Sequence, residues 1–316
     1  MSPHRVASLP RFPVRLPIPD LRPFLAGNVL PGAWSFEAPA PGPHVALVSL
    51  THGNEIAGAL LLSRWLREEL RPSRGRLTLI FANLDAFARF DPADPTLSRY
   101  VDEDLNRVWS AEVLNSARRS SELRRARELR PLIDTVDVLL DLHSMLWPSD
   151  PLLLCGAPLK ARPLAGALGV PGLVVADQGH ADGRRLLDYG PFADESSSRV
   201  ALLVEGGPHW EPETPELMDR CARALLREAG LLEAPAAPPS SDAGLWEVTR
   251  TVVAATRGFA FVQQFRGGTV IPARNTLVAL DGETEIRTPY DNCLLVMPSP
   301  HVLRGHTAVR LARRVG

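Results

Sequence analysis

The chain of 316 residues is 45% hydrophobic, so it can bury the core of one large domain and a smaller one. Its 35 basic and 36 acidic side chains give a formal net charge of −1, which excludes the basic excess expected of a protein that binds nucleic acid or an anionic membrane surface. No apolar run approaches the ~18 residues of a membrane-spanning helix.

Residues 1–15 contain proline and arginine but no apolar run long enough for a signal peptide. Three widely spaced cysteines, Cys155, Cys221 and Cys293, form no C-x-x-C pair and are typical of buried, reduced thiols. We therefore expect a cytoplasmic protein with no membrane or nucleic-acid partner. The sequence leaves open whether the chain forms a homo-oligomer.

In chain order, residues 1–43 are rich in proline and are predicted to wrap around the core rather than belong to it. Apolar strands and helices then alternate as far as residue 229, which favours a largely parallel α/β sheet. Strands are predicted at 44–50, 76–82, 137–143, 151–155, 172–176 and 200–204. Helices are predicted at 57–70, 111–133 and 215–229. In the second, glutamates at 112, 122 and 128 are interleaved with arginines, which favours a solvent-exposed face over a binding patch.

The composition changes after the last of these helices. The run P-A-A-P-P-S-S at 235–241 is predicted to be a linker. Beyond it, short strands are indicated between glycine and proline turns at 246–253, 259–264, 276–280 and 294–297, with no helix. We therefore divide the chain into an α/β domain, residues 1–235, and a small β-rich domain, residues 236–316.

The first predicted strand leads into the run T-H-G-N-E at 51–55, at the strand end where α/β folds place their sites. His52 and Glu55 are spaced i, i+3, so both side chains can point to one side as the next helix begins. An imidazole and a carboxylate that converge there suit a Zn²⁺ ion. The same residues also fit a polar turn with a glutamate favoured by the helix dipole, and this run alone leaves both interpretations open.

Two other strands end in polar residues that apolar packing does not explain, His143 and Glu205. Each alone has an ordinary interpretation, as a satisfied buried histidine or as a carboxylate that bonds loop amides. On a parallel sheet, however, they should converge with His52. Two histidines and one carboxylate with an open position are the ligand set of a catalytic zinc. A further carboxylate must then accept the water proton, and Glu205 is our candidate.

The run R-Y-V-D-E-D-L-N-R at 99–107 is unusually dense in charge. A tetrahedral oxyanion needs a fixed positive donor and a substrate carboxylate needs a bidentate fork, and a guanidinium provides either. Arg99, Asn106 and Arg107 are therefore candidates for these tasks. The acidic residues between them could equally pair with the arginines on the surface, and spacing alone does not decide.

Four runs occur in order: T-H-G-N-E at 51–55, the 99–107 run, D-L-H-S at 141–144 and V-E-G-G-P at 204–208. Together they resemble the succinylglutamate desuccinylase/aspartoacylase family of the zinc carboxypeptidase superfamily. The resemblance implies an α/β fold with a zinc-carboxypeptidase-like mixed sheet flanked by helices. It also implies that residues 1–235 form the catalytic zinc hydrolase domain, and that residues 236–316 form a small all-β domain that covers the active-site cleft.

The resemblance assigns a metal site. It implies that His52, Glu55 and His143 bind a single Zn²⁺ per chain. Asp104 resembles the family's aspartate that orients the first zinc histidine.

The resemblance also assigns the groups that act on substrate. Glu205 would be the general base, and Arg99 would polarise the scissile carbonyl. Asn106 and Arg107 would hold the carboxylate of the amino-acid part. The resemblance also matches Tyr290, in the stretch P-Y-D at 289–291, to a substrate-contacting tyrosine of the family.

Residues 188–199 show no clear counterpart of the basic group that aspartoacylase uses on the aspartate side chain. This departure puts the substrates of both founding members in doubt. Arg184, Arg185 and Arg199 are possible substitutes, although solvent-exposed arginines would look the same in the sequence.

We therefore expect a zinc-dependent amidohydrolase, a deacylase that cleaves the linear amide of a small N-acyl amino acid or a related carboxylate. One alternative is a zinc carboxypeptidase that acts on a peptide or peptidoglycan fragment; a β domain over the cleft would exclude long chains. An alternative of another class is a non-catalytic, metal-dependent protein that binds a small molecule, which would not need a base such as Glu205.

Overall fold

A sheet of 11 strands runs through the molecule, and a separate sheet of three strands lies in the C-terminal part. The computed structural model describes residues 10–179, 182–233 and 244–315. The strands are β1 Ala33–Glu37, β2 His44–Ser49, β3 Arg76–Phe81, β4 Val138–Met145, β5 Leu152–Cys155, β6 Leu173–Ala176, β7 Val200–Pro208, β8 Gly244–Val253, β9 Phe259–Phe261, β10 Val270–Ile271, β11 Leu277–Asp281, β12 Thr284–Arg287, β13 Cys293–Val296 and β14 Thr307–Arg314.

The helices are concentrated in the first 230 residues. They are α1 Ile56–Arg67, α2 Leu84–Phe87, α3 Ala111–Leu114, α4 Ser121–Ile133, α5 Ala161–Leu168 and α6 Glu213–Glu228. None of the helices in the described ranges is long and apolar enough to cross a membrane. The three cysteines are unpaired and buried.

The large sheet is mixed, in the order β1-β3-β2-β4-β7-β5-β6-β8-β14-β13-β10. Strands β3, β2, β4 and β7 run parallel to one another, whereas β1 and β5 are antiparallel to their neighbours β3 and β7. This confirms the expected mixed α/β sheet with a small C-terminal β sheet. The central strands are buried on both faces: Val45 and Leu47 pack into one apolar cluster, and Ala46 and Val48 pack into another.

The C-terminal segment continues the large sheet. Strand β8 pairs in parallel with β6, and β14 and β13 follow it. Strands β9, β11 and β12 form the small sheet. The predicted linker at 235–241 lies outside the described residues, and the division of the chain at residue 235 stays a prediction.

The prediction of one helix over 111–133 was wrong, because the chain breaks into α3 and α4. Ser110 caps α3 by accepting a hydrogen bond from Val113 N at 3.2 Å, and Ser120 caps α4 in the same way from Leu123 N at 2.9 Å. The proline-rich N-terminal segment also contributes more than a wrapping arm, since β1 pairs with β3. Helix α5 was missed because Pro163 and Gly166 interrupt its helical pattern.

Candidate active site

Three neighbouring strands bring the candidate side chains to one edge of the sheet. Strand β4 lies between β2 and β7, so the carboxyl ends of all three meet there. His52 follows β2, His143 lies in β4 and Glu205 lies in β7, and all three line one cavity of about 220 Å³. Gly53 lets the turn after β2 pass close to α2, because a Cβ at this position would lie 2.5 Å from Phe87 N.

His52, Glu55 and His143 form a buried cluster that could hold a metal ion, since each offers a ligand atom and these atoms lie within 4.8 Å of one another. Both imidazoles turn Nδ1 toward the Glu55 carboxylate, at 2.6 Å for His52 and 3.1 Å for His143. Burial by itself raises the pKa of Glu55, but the two imidazoles outweigh it and hold that pKa well below its ordinary value. Two histidine nitrogens and a carboxylate in this arrangement fit a Zn²⁺ ion.

An aspartate stands behind each histidine. Asp104 Oδ1 lies 3.0 Å from His52 Nε2, and Asp141 Oδ2 lies 2.9 Å from His143 Nε2, although this pair is not aligned for a hydrogen bond. Thr51 Oγ1 donates to the other Asp141 oxygen at 2.8 Å. Carboxylates placed in this way orient imidazole ligands. Sequence reasoning missed Asp141, although residues i and i+2 of a strand share a face.

Glu205 is buried on the same edge, and its Oε2 has no hydrogen-bond partner among the described residues. Burial raises the pKa of Glu205 to about 8, against the opposing effect of His143. A buried carboxyl group of this kind can exchange a proton with a ligand in the cavity.

The loop 99–103 brings Arg99 to the cavity and is held by a buried carboxylate. Arg99 Nη2 lies 2.9 Å from His52 Nε2, and Arg99 Nη1 donates to Glu55 Oε1 at 3.2 Å. Glu122 accepts hydrogen bonds from the backbone N–H groups of residues 101, 102 and 103 at 2.6–3.2 Å. The prediction that Glu122 belongs to a solvent-exposed face was therefore wrong, because its carboxylate is buried beneath this loop and is used by the three amides.

Asn106 and Arg107 lie on a short 3₁₀ turn at the cavity wall. Asn106 Oδ1 accepts from Leu186 N at 2.8 Å, which fixes the amide and leaves its Nδ2 for the cavity. Arg107 Nη1 donates to Asn106 O at 2.7 Å, and no described carboxylate forms an ion pair with Arg107. Burial, together with nearby arginines, lowers the pKa of Arg107. An anion in the cavity would therefore find a guanidinium without a carboxylate partner.

Two further arginines reach the cavity. Arg185 is buried and lines it, so the interpretation of this residue as solvent-exposed was wrong. Arg310, from β14, also lines it and was missed, since no motif surrounds it. Arg184 is exposed, and Arg199 lies by Asp137, just before the opposite end of β4.

The remaining walls are mostly apolar, with contributions from Leu146, Trp147, Met297 and Pro298. Tyr290 is not among the residues that line the cavity. Its ring packs against the C-terminal apolar cluster, and its hydroxyl lies 2.7 Å from Thr249 Oγ1.

His209 was also missed by sequence reasoning. It lines the cavity with its Nδ1 2.7 Å from Ser144 Oγ. Burial lowers the pKa of His209 to about 4, so its imidazole is neutral at pH 7.

Comparison with known proteins gives a family for this arrangement. Residues 41–229 match the Succinylglutamate desuccinylase/Aspartoacylase catalytic domain. The chain is 34% identical over 113 residues to the N-acyl-aromatic-L-amino acid amidohydrolase (carboxylate-forming) of Xenopus laevis, and this match covers 33% of this chain and 35% of that protein. It is 33% identical over 116 residues to the aspartoacylase of Mus musculus, and this match covers 34% of this chain and 36% of that protein. The chain thus matches little more than a third of the length of either relative.

Solved structures share the fold at low sequence identity. The succinylglutamate desuccinylase of Vibrio cholerae superposes with a TM-score of 0.71 at 19% identity, covering 91% of this chain and 86% of that one. Murine aminoacylase 3 superposes with a TM-score of 0.63 at 18% identity, covering 88% of this chain and 97% of that one. The similarity extends beyond the matched domain into the C-terminal strands.

Proposed function

The chain belongs to the succinylglutamate desuccinylase/aspartoacylase family, and we propose that it is a zinc-dependent deacylase of a small N-acyl amino acid. The observation that carries this proposal is the convergence of His52, Glu55 and His143 at the edge of a cavity. The same cavity holds Glu205 and Arg107, and no carboxylate of the described residues pairs with Arg107. In this proposal residues 1–235 supply the metal ligands and the acid–base group, while residues 236–316 supply one wall of the cleft.

The donor set fits zinc. His52 and His143 would each offer Nδ1, and Glu55 would offer a carboxylate oxygen. Asp104 and Asp141 lie beside the Nε2 atoms on the far sides of the two rings. When bound, Zn²⁺ supplies a Lewis acid that polarises a carbonyl group and makes water acidic enough to attack near neutral pH.

The protein's own groups supply the rest of the reaction. Glu205 would accept a proton from the attacking water at Oε2, which no described residue engages, and deliver it to the leaving nitrogen. Its raised pKa suits both directions of this transfer. Arg99 would stabilise the negative charge that grows on the carbonyl oxygen, because its guanidinium reaches the same edge as Glu55.

Arg107 and Asn106 would hold the carboxylate of the amino-acid part. Arg107 lacks a carboxylate partner in the described part of the chain, and the fixed Asn106 amide can donate beside it. A substrate anion at this position would remain in place throughout the reaction and would orient the amide toward Glu205.

The test combines metal analysis with turnover. Protein purified without added metal should contain zinc, hydrolyse members of a panel of N-acyl amino acids, lose activity to a chelator and recover it with Zn²⁺. His143→Ala should lose both zinc and activity, whereas His306→Ala, at an exposed histidine, should lose neither. Zinc-loaded protein that hydrolyses none of the panel would favour the binding-protein alternative. Undiminished zinc affinity in His143→Ala would overturn the ligand assignment.

A further inference from the structure

Four buried charged side chains form a compact group at the cavity wall beside Arg107. They are Asp177, Arg185, Asp188 and Arg310, with exposed fractions of 2%, 2%, 8% and 3%. Three of them line the cavity, and Asp188 lies behind Arg185. With two positive and two negative members, the group carries no net charge.

Each arginine of the group has an acidic partner from the protein. Arg185 donates to both oxygens of Asp188 at 2.6 and 3.2 Å, and its Nη1 donates to Asp177 Oδ2 at 3.1 Å. Arg310 Nε lies 3.2 Å from the same Asp177 oxygen. Asp177 therefore stands between two guanidiniums that would otherwise face the cavity as a second anion site.

Arg99 is likewise paired, with Glu55 and Asp104 at 3.2 Å each. Of the four arginines that line the cavity, Arg107 is thus the one for which the described residues offer no carboxylate partner. The charge pattern provides for one substrate carboxylate. A second carboxylate of the substrate would face this group, which has no net charge and includes the negative Asp177. It would lose its hydration on binding and gain no compensating cation.

We infer that the substrate carries a single carboxylate, held at Arg107, and that Asp177 sets this preference by occupying Arg185 and Arg310. The inference rests on the proposed deacylase function and narrows its substrate class. The remaining parts of the substrate, on either side of the amide, are then uncharged. The apolar walls formed by Leu146, Trp147 and Met297 suit such groups.

Matched substrate pairs that differ only in one charge test the inference. The wild-type enzyme should hydrolyse N-acetyl-L-asparagine with a kcat/KM at least about tenfold above that for N-acetyl-L-aspartate. On the acyl side, N-succinamoyl-L-alanine should similarly exceed N-succinyl-L-alanine. A wild-type enzyme that prefers the dianion of either pair would overturn the inference while leaving the deacylase function standing. If no substrate of any pair or panel is hydrolysed, both proposals fall.

Asp177→Asn removes the charge and keeps the shape, so it should release part of the second anion site. We expect it to shift at least one of the two ratios toward the dianion by about tenfold. Asp281→Asn is the control, because Asp281 is also buried and accepts backbone hydrogen bonds, at Ala255 and Thr256, but does not line the cavity. Unchanged ratios in a folded Asp177→Asn enzyme would overturn the role of Asp177. If that variant does not fold, the wild-type ratios still decide the substrate class.

Discussion

Gly183 lies directly against the backbone of Arg107, so closely that a Cβ at Gly183 would be 2.2 Å from the Arg107 carbonyl oxygen. Its φ of +144° is also one that other residues rarely adopt. The segments around the two residues are joined further, since Trp109 N donates to Arg184 O at 3.2 Å. The turn that carries Arg107 is therefore positioned by the loop that carries Arg185.

Gly183→Ala should displace Arg107 and so weaken the binding of the substrate carboxylate that we propose for this residue. Because small misplacements of a binding group are costly, we expect KM to rise on the order of tenfold, with a smaller change in kcat. Gly166→Ala is the control, since no atom of the described residues lies within 4 Å of a Cβ there. Steady-state kinetics of the two variants on one N-acyl amino acid would measure KM and kcat. An unchanged KM in Gly183→Ala would show that the loop containing Gly183 does not contribute to carboxylate binding.

Glu205→Gln should keep zinc and lose the chemical step. The amide preserves the shape of the side chain but cannot accept the water proton, and general-base catalysis contributes typically ~10²–10⁴-fold. Zinc content and kcat should be measured on the same preparation. A loss of kcat below tenfold with zinc intact would remove Glu205 from this role.

Replacement by alanine should affect different kinetic constants at Arg99 and at Arg107. In the proposed reaction Arg107 would meet a charge that is present equally in the substrate and the transition state, so its loss should mainly raise KM. Arg99 would meet charge that grows as the oxyanion forms, and losing one such donor typically costs on the order of 10²–10³ in kcat.

A substrate analogue separates these two roles further. Replacing the substrate carboxylate by a neutral amide should mimic Arg107→Ala and add little to it, because both changes delete one interaction. Equal hydrolysis of the acid and the amide by the wild-type enzyme would show that Arg107 is not a carboxylate clamp.

Glu122→Ala should destabilise the protein, because three backbone N–H groups of the loop 101–103 would lose their acceptor. The expected loss is about 3 kcal/mol in the free energy of unfolding. Glu128→Ala, one turn and a half further along α4 at an exposed position, should change it by less than about 0.5 kcal/mol. Urea denaturation measures both, and equal effects of the two substitutions would contradict the anchoring role of Glu122.

His44 should make stability depend on pH. Burial, together with nearby Arg76, lowers its pKa to about 4, and its Nε2 lies 2.7 Å from Thr78 Oγ1. The folded protein thus favours the neutral imidazole, so the contribution of His44 is complete above the unfolded pKa of about 6.5 and is lost as the pH falls toward 4.

The size of this effect follows from the two pKa values. Between about pH 7.5 and pH 5, His44 should account for roughly 2 kcal/mol of lost unfolding free energy. His44→Gln can keep hydrogen bonds without titrating, so its stability should fall less over the same interval. Parallel pH profiles for wild type and variant would show that His44 is not responsible.

The sequence was sufficient where a long apolar run ends in a polar residue. His143 and Glu205 could be assigned to one edge because parallel strands place their ends together. It was insufficient where burial depends on distant partners. Glu122 and Arg310 look like surface residues in the sequence, because both are charged. Only the tertiary structure shows that Glu122 accepts from backbone amides and that Arg310 lies against the Asp177 carboxylate. For Tyr290 the sequence was misleading in the opposite direction. The residue matched a local motif of the family, but its ring does not line the cavity.

The pairing of β6 with β8 has a consequence for any shortened form of the protein. Strand β6 pairs with β5 along one edge and with β8 along the other. A chain cut at residue 235 would leave β6 as an open edge with unpaired backbone groups, a template on which other chains can add strands. We therefore expect the C-terminal segment to protect this edge from self-association, and a truncated protein should form aggregates even though His52, Glu55 and His143 remain in it.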